Sequence, residues 1–329
     1  MKIGILSRAS HSYSTRRLVE AAKSAQHQVI VLDPFRFSLH IDLPTCYQRQ
    51  LRFRPDQARQ PKSAGVGRTS ERHNIDCLHI LYDGKPIFDL DLIIPRLSST
   101  TVTFATEVLL HFQSIGVPLL NRSQEILVAR HKFRSLRRLA ENDIPVIPSF
   151  TTGSPDFLDA SVNEIGDYPI LMKPFQGTHG RGFMLIDTPL SLHSSVEAMC
   201  EFHQDYMMQP FIGRASGQDI RIIVAGGRVV AAMKRTAASG EYRANVHRGG
   251  QGQPINISNQ LSDLAVRATK ALELDVAGVD LLETHNMVAD TEYVVLEVNP
   301  SPGLEEIEAV TKINVAEAII TYAETIGDR

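Results

Sequence analysis

The chain has 329 residues, 43% of them hydrophobic and 22% charged, with a net charge of −3. That length exceeds one ordinary core and predicts two or three subdomains of a soluble globular protein. The mild negative charge argues against a dedicated nucleic-acid site, and no apolar run approaches the ~20 residues that a membrane span needs.

The first elements read as a parallel α/β unit. Lys2–Leu6 predicts a strand, Tyr13–Ser24 an amphipathic helix and Gln28–Leu32 a second strand ending at Asp33-Pro34. The opening run lacks a cleavage pattern and reads as structure, not as a signal peptide. The loop after the first strand lacks the G-x-G-x-x-G fingerprint, so a dinucleotide site is not supported. A third strand is expected over Leu90–Pro95, ending on Arg96. Ligands of open α/β sheets bind at the carboxyl ends of the strands. Arg8 and Arg96 lie at such ends, where they are either carboxylate holders or solvated surface arginines. Cys46, Cys77 and Cys200 are far apart and odd in number, which fits neither a zinc site nor a disulfide framework and suits the cytoplasm.

Tyr47–Asn74 differs from its surroundings, with seven Lys/Arg against two acids and few large apolar residues. Such a composition buries too little to fold alone and predicts a flexible basic insertion, either a solvated loop or an arm for an acidic partner.

The next region opens with a helix expected over Ser123–Asn142, which carries Lys132, and a further helix near Asp159–Ile165. Ile170–Ile186 then reads as strand, glycine-rich loop, strand, with Lys173 on the first strand and Gly177, Gly180 and Gly182 in the loop. It is no P-loop, since it neither runs into a helix nor contains G-K-[ST]. It is either an ordinary hairpin or a loop whose backbone N–H groups fold around phosphates, with Lys173 as a point charge.

In the last region Asp219 and Arg221 alternate with Ile220 and Ile222, so both charges face one way from a strand. Gly227–Arg235 looks like its hairpin partner, Ser262–Leu272 like a helix, and Asn314–Tyr322 like a closing helix. Between those helices lie two apolar runs interrupted by Asp280, Glu297 and Asn299. Strand residues i and i+2 share a face, so Glu297 and Asn299 point together. Three oxygen-bearing side chains on neighbouring strands either cap strand ends at the Asn299-Pro300-Ser301-Pro302-Gly303 turn or form a hard-ligand set suited to Mg²⁺.

The order and wording of these landmarks resemble the ATP-grasp superfamily, and in detail the RimK-type α-L-glutamate ligases that modify the C-terminus of small-subunit ribosomal protein six. The resembling segments are Met1–Pro34, Ile94-Pro95-Arg96, the Lys132 helix, Lys173–Gly182, Asp219-Ile220-Arg221, Asn245–Gly250, Val276–Asp280 and Glu297–Gly303. The resemblance implies an α/β (α+β) ATP-grasp fold, with a Rossmann-like N-terminal subdomain over 1–120 and two α+β subdomains, 121–205 and 206–329, clasping ATP. It assigns Lys132 and Lys173 to the α- and β-phosphates, the Pro210 carbonyl and Phe211 N–H to adenine, and Asp219 to the ribose. Arg243, Ala244 and Asn245 fall at the phosphates, and Asp280, Glu297 and Asn299 would hold two Mg²⁺ or Mn²⁺ ions. Arg221 takes the place that steadies the transferred phosphoryl group. The implied partners are ATP, L-glutamate and a carboxylate acceptor such as a ribosomal protein C-terminus, in a tetramer. Other readings are a ligase for a small molecule, coenzyme tail or amino-group carrier protein, a non-catalytic nucleotide-binding regulator, and a kinase-like phosphotransferase, whose H-R-D and D-F-G motifs are missing.

Overall fold

The computed structural model describes residues 1–42, 77–87, 89–97, 102–177, 182–212, 217–238, 250–288 and 291–327. Its first sheet is parallel, with Lys2–Leu6 between Gln28–Leu32 and Leu92–Pro95. Ile3 and Ile5 are fully buried on the central strand. The Tyr13–Ser24 helix starts where the Ser12 hydroxyl accepts the Thr15 N–H, an N-cap that satisfies one orphan donor. This is the expected α/β unit, two residues shorter at its third strand.

A small antiparallel sheet, not anticipated, follows: Phe37–Ile41, Leu78–Tyr82 and Lys85–Pro86. Ile41 pairs with Leu78 and the Asp42 N–H donates to the Cys77 carbonyl at 2.7 Å. The basic segment Tyr47–Asn74 lies outside the described residues. The two points from which the chain leaves and returns around it are hydrogen-bonded neighbours.

The third sheet has Ile170–Pro174 between Met184–Ile186 and Tyr206–Pro210. The helices Leu158–Ile165 and Pro189–Glu201 cover it, joining Leu158, Val162, Leu192 and Val196 to Ile170, Met172 and Met208 in one core. The Pro189–Glu201 helix and the Val102–Ser114 helix are further elements the sequence reading did not anticipate.

The largest sheet is antiparallel and runs Gln251–Pro254, Arg228–Thr236, Gln218–Ala225, Val276–Val288, Thr291–Asn299. Its central strands are apolar on both faces because two cores meet there. Ile223, Ala225, Met233 and Val276 join the parallel sheet and the Val315–Gly327 helix on one side. Ile222, Val224, Ala277 and Val279 join the Lys132–Ala140 and Asn259–Ala271 helices on the other. Period-2 alternation therefore sorts each strand between two cores.

One expectation is corrected. The helix expected over Ser123–Asn142 is two helices, Ser123–Arg130 and Lys132–Ala140. His131 between them is extended, at φ −95° and ψ 100°, and its ring nitrogen accepts the Arg134 N–H. A side-chain cap inside an apolar-periodic run thus starts a second helix, and it redirects Lys132.

Candidate active site

The face of the large sheet that carries Ile223 and Met233 becomes polar farther along the same strands. The register pairs Asp219 with Arg235, Arg221 with Asp280, Asp280 with Glu297, and Gly278 with Asn299. All six polar side chains therefore lie on one face. One end of that face is a core and the other is a concentrated set of charges.

The charges are tightly paired. Arg221 donates from Nε and Nη2 to the two oxygens of Asp280 at 2.7 and 2.6 Å. Arg235 does the same to Asp219 at 2.6 Å twice, and its Nη2 also lies 3.1 Å from Asp280. Bidentate guanidinium–carboxylate pairs of this kind are the strong class of hydrogen bond. Burial pushes the Asp219 carboxyl up to about 6, against the pull of Arg235. Burial also pushes Asp280 up, but the charges of Arg221 and Arg235 outweigh it and hold Asp280 below the ordinary carboxylate range. Asp280 is thus the anion of the network, and Asp219 the group that takes a proton first.

Glu297 and Asn299 stand half-buried beside this network. The Asn299 amide oxygen accepts the Ser301 N–H at 3.0 Å, which starts the turn that follows. That turn folds back onto the sheet: a Cβ on Gly278 would sit 2.9 Å from Pro302, so glycine permits the close approach. Two carboxylates and an amide oxygen suit Mg²⁺, whose shell is completed by substrate phosphates. Among the described residues no group of three or more His, Cys, Asp or Glu is placed to hold a metal ion, so the Asn299 oxygen and substrate phosphates would have to complete the shell. Asp280 would share itself between a cation and two arginines.

The two lysines expected at the phosphates come together. The Lys132 N–H donates to the Phe175 carbonyl at 2.9 Å and its Nζ to the Gly177 carbonyl at 2.9 Å. Lys173 Nζ donates to Gln209 Oε1. Both ammonium groups lie over the Phe183 ring, at 5.9 and 5.2 Å from its centroid, within the range of a cation–π contact. Burial lowers Lys173 to about 8, with Glu297 opposing and Lys132 adding to the shift. Two like charges gathered with no carboxylate hydrogen-bonded to either among the described residues fit a polyanion.

Pro210 and Phe211, expected at adenine, fall at the end of the Tyr206–Pro210 strand, where the Phe211 N–H donates to the Pro169 carbonyl at 3.0 Å. Donation from Phe211 to adenine would require that bond to exchange. Arg243, Ala244 and Asn245 lie outside the described residues. Arg8 is exposed and stacks its guanidinium 5.0 Å above the Phe35 ring.

Sequence reasoning missed four residues here. Arg235 closes the carboxylate network. Gln209, fully buried, holds Lys173 and itself donates to the Ser149 hydroxyl at 2.8 Å. Phe183 was a visible aromatic at the hairpin end. Asn121 is buried at positive φ, donates from Nδ2 to the Val276 and Pro300 carbonyls at 2.7 Å, and accepts the Asp275 and Val276 N–H groups. It ties the start of the Asp280 strand to the turn after Asn299.

A family model described as RimK-like ATP-grasp domain matches residues 129–323, and one described as RimK PreATP-grasp domain matches 1–49 and 71–126. The chain belongs to the RimK-like ATP-grasp family. It is an ATP-dependent ligase. A relative from Thioalkalivibrio sulfidiphilus named probable alpha-L-glutamate ligase is 36% identical over 98% of this chain and 95% of its own length. Among solved structures, a RimK domain protein ATP-grasp from Sphaerobacter thermophilus has a TM-score of 0.67 at 19% identity, over 98% of this chain and 99% of its own. The ATP-grasp ligase PsnB complexed with minimal precursor, Mg and ADP has a TM-score of 0.66 at 18% identity, over 100% of this chain and 98% of its own. At those identities the likeness concerns the fold. Among the described residues no helix is long and apolar enough to cross a membrane.

Proposed function

We propose that this RimK-like ligase adds L-glutamate to the C-terminal carboxylate of a protein or peptide acceptor, with a small-subunit ribosomal protein as the first acceptor to test. The observation that carries the reading is the convergence of Lys132 and Lys173 on Phe183, with the Asp280/Glu297/Asn299 face beside them. The alpha-L-glutamate ligase name of a relative covering nearly the whole chain supports glutamate as the amine.

A carboxylate at neutral pH resists attack by an amine because oxide would have to leave. In the proposed reaction a carboxylate oxygen attacks the γ-phosphorus, the bond from that phosphorus to the β–γ bridging oxygen breaks, and ADP departs. The α-amino nitrogen of glutamate then attacks the acyl carbon of the acylphosphate. Phosphate leaves, and the surplus proton of the amine passes to solvent. Lys132 and Lys173 hold the α- and β-phosphates, Asp219 reaches the ribose, and Arg221 steadies the transferred group, since phosphoryl transfer is mainly a matter of position and charge neutralisation. The Pro210 carbonyl and the Phe211 N–H flank adenine, while Arg243, Ala244 and Asn245 complete the phosphate contacts. Asp280, Glu297 and Asn299 would hold two Mg²⁺ or Mn²⁺ ions, which neutralise phosphate oxygens when bound. The Gly177–Gly182 hairpin excludes water from the acylphosphate. On this reading the chain divides at about 120 and again after Pro210, five residues later than the sequence reading put it, because the Tyr206–Pro210 strand pairs with Ile170–Pro174; the hairpin-bearing middle part closes on the last.

The test is incubation with ATP, Mg²⁺ and labelled glutamate against candidate acceptors, read by mass spectrometry. Addition of 129-Da glutamyl units (about that mass for a glutamate less water) to the acceptor is the expected result. ATP hydrolysis with no labelled product from any acceptor would refute the glutamate assignment.

A further inference from the structure

Arg96 follows the Leu92–Pro95 strand at the carboxyl edge of the parallel sheet, and Arg130 ends the Ser123–Arg130 helix. Both are half-buried. Arg130 donates from Nη2 to the Leu97 carbonyl, so its guanidinium lies against the residue next to Arg96. Its Nε is sealed from water and has no hydrogen-bond partner. Neither guanidinium has a carboxylate partner within ion-pair distance among the described residues.

We propose that Arg96 and Arg130 form a clamp for a substrate carboxylate beside the phosphate site. This rests on the ligase reading and adds to it the place where one substrate carboxyl group is held. Three observations carry it. A buried guanidinium donor without a partner is costly unless a ligand supplies the acceptor. Two guanidinium groups at adjoining positions, with Arg130 held against the residue that follows Arg96, offer enough donors for the two oxygens and about four lone-pair sites of a carboxylate. Position is the third. The Pro95 carbonyl accepts from the Ser301 hydroxyl at 3.4 Å, and the Ser301 N–H donates to Asn299. The residue before Arg96 therefore touches the turn that leaves the Glu297/Asn299 strand. Ion-pairing Arg221 and Arg235, already engaged by Asp219 and Asp280, are unsuited to the same task. Exposed Arg8, stacked on Phe35, lies outside the clamp.

The carboxylate belongs either to the acceptor terminus or to glutamate, and the experiment separates them. Full-length Arg96→Met and Arg130→Met enzymes are compared with wild type for KM of a peptide ending in a free carboxylate, KM of glutamate, and affinity for ATP. Calorimetry measures, in the presence of ADP and Mg²⁺, binding of the same peptide with a free and an amidated C-terminus. The expected result is a rise of about 10- to 100-fold in one of the two KM values, as for loss of charge-assisted hydrogen bonds, with ATP affinity unchanged. A rise for the peptide, with loss of the free-over-amidated preference, assigns the clamp to the acceptor. A rise for glutamate alone assigns it to the donor. Melting temperatures are expected to hold, because neither guanidinium has a carboxylate partner to lose among the described residues. Arg96→Lys and Arg130→Lys keep the charge without the fork and are expected to recover only part of the affinity. Wild-type KM values in both methionine variants, or a melting temperature lowered together with uniformly reduced activity, would overturn the clamp. A wild-type enzyme that binds the free-carboxylate peptide through Arg96 and Arg130 but transfers no glutamate would instead overturn the ligase reading alone.

Discussion

Replacing Arg235 by methionine tests whether the Asp219–Arg235–Asp280 network is a buried charge system. The Arg235 side chain is 3% exposed and its carboxylate partners 13% and 10%, so the regime is that of buried pairs and not of surface pairs worth at most ~1 kcal/mol. Removing one partner of a buried pair costs about 3–5 kcal/mol, because the remaining charge is left uncompensated. At roughly 2–4 °C per kcal/mol, the melting temperature at pH 7 should fall by about 6–20 °C. The sign of the pH dependence follows from Asp219. Its carboxyl titrates at about 6 in the folded protein against an ordinary value of 3.8. The folded state therefore binds more protons than the unfolded state between those values, and its stability declines as pH rises through that window. Without Arg235 the upper end of the window moves higher, so the deficit of the variant should grow from pH 5 to pH 7.5. Thermal melts followed by circular dichroism across that range measure it. A variant within about 2 °C of wild type at pH 7, equivalent to about 1 kcal/mol or less, or a deficit independent of pH, would refute the reasoning.

Glu297→Gln should lower ATP turnover by roughly 100-fold or more, consistent with loss of charge at a phosphoryl-transfer site, while the melting temperature holds; retained turnover would remove Glu297 from the metal site. It is a cleaner probe than Asp280→Ala, which would also strip Arg221 and Arg235 of their shared carboxylate. Lys173→Met should weaken ATP binding by about tenfold, and an unchanged Kd would show that the hairpin strand does not meet phosphate. Burial holds Lys173 at about 8 in the free protein, so wild-type ATP affinity should decline as pH rises through 8 and that decline should vanish in Lys173→Met, both read by calorimetry. Replacing Tyr47–Asn74 by a short linker should leave ATP chemistry intact. Because Ile41 and Leu78 already pair, the shorter loop changes stability by only about 1–2 kcal/mol on loop-closure grounds; loss of folding in chemical denaturation would contradict this.

Much of the candidate site was legible because strand chemistry is periodic. An acid or amide inside an apolar strand run stands out at Asp280, Glu297 and Asn299, and i, i+2 alternation puts Glu297 and Asn299 on one face without any coordinates. Lys173 next to a glycine-rich hairpin is likewise a local pattern. The break at His131 was not legible, because the apolar period continues through it and only the imidazole cap to Arg134 shows that a new helix starts.

What the chain determines by itself is which residues share a face and which segments are strands, since both follow from backbone geometry. What only the tertiary structure decided is which strands stand opposite one another and in which register. The hairpin turn at Gly226-Gly227 pairs Ala225 with Arg228 and Val224 with Val229, but an irregularity after Ile223 shifts every later pair by one residue. Counted from the turn without that shift, Asp219 would face Lys234, and Arg235 would point into the opposite core. With it, Arg235 faces Asp219 and reaches Asp280. A bulge of one residue turns a strand over, and here it decides which cation the buried carboxylates share.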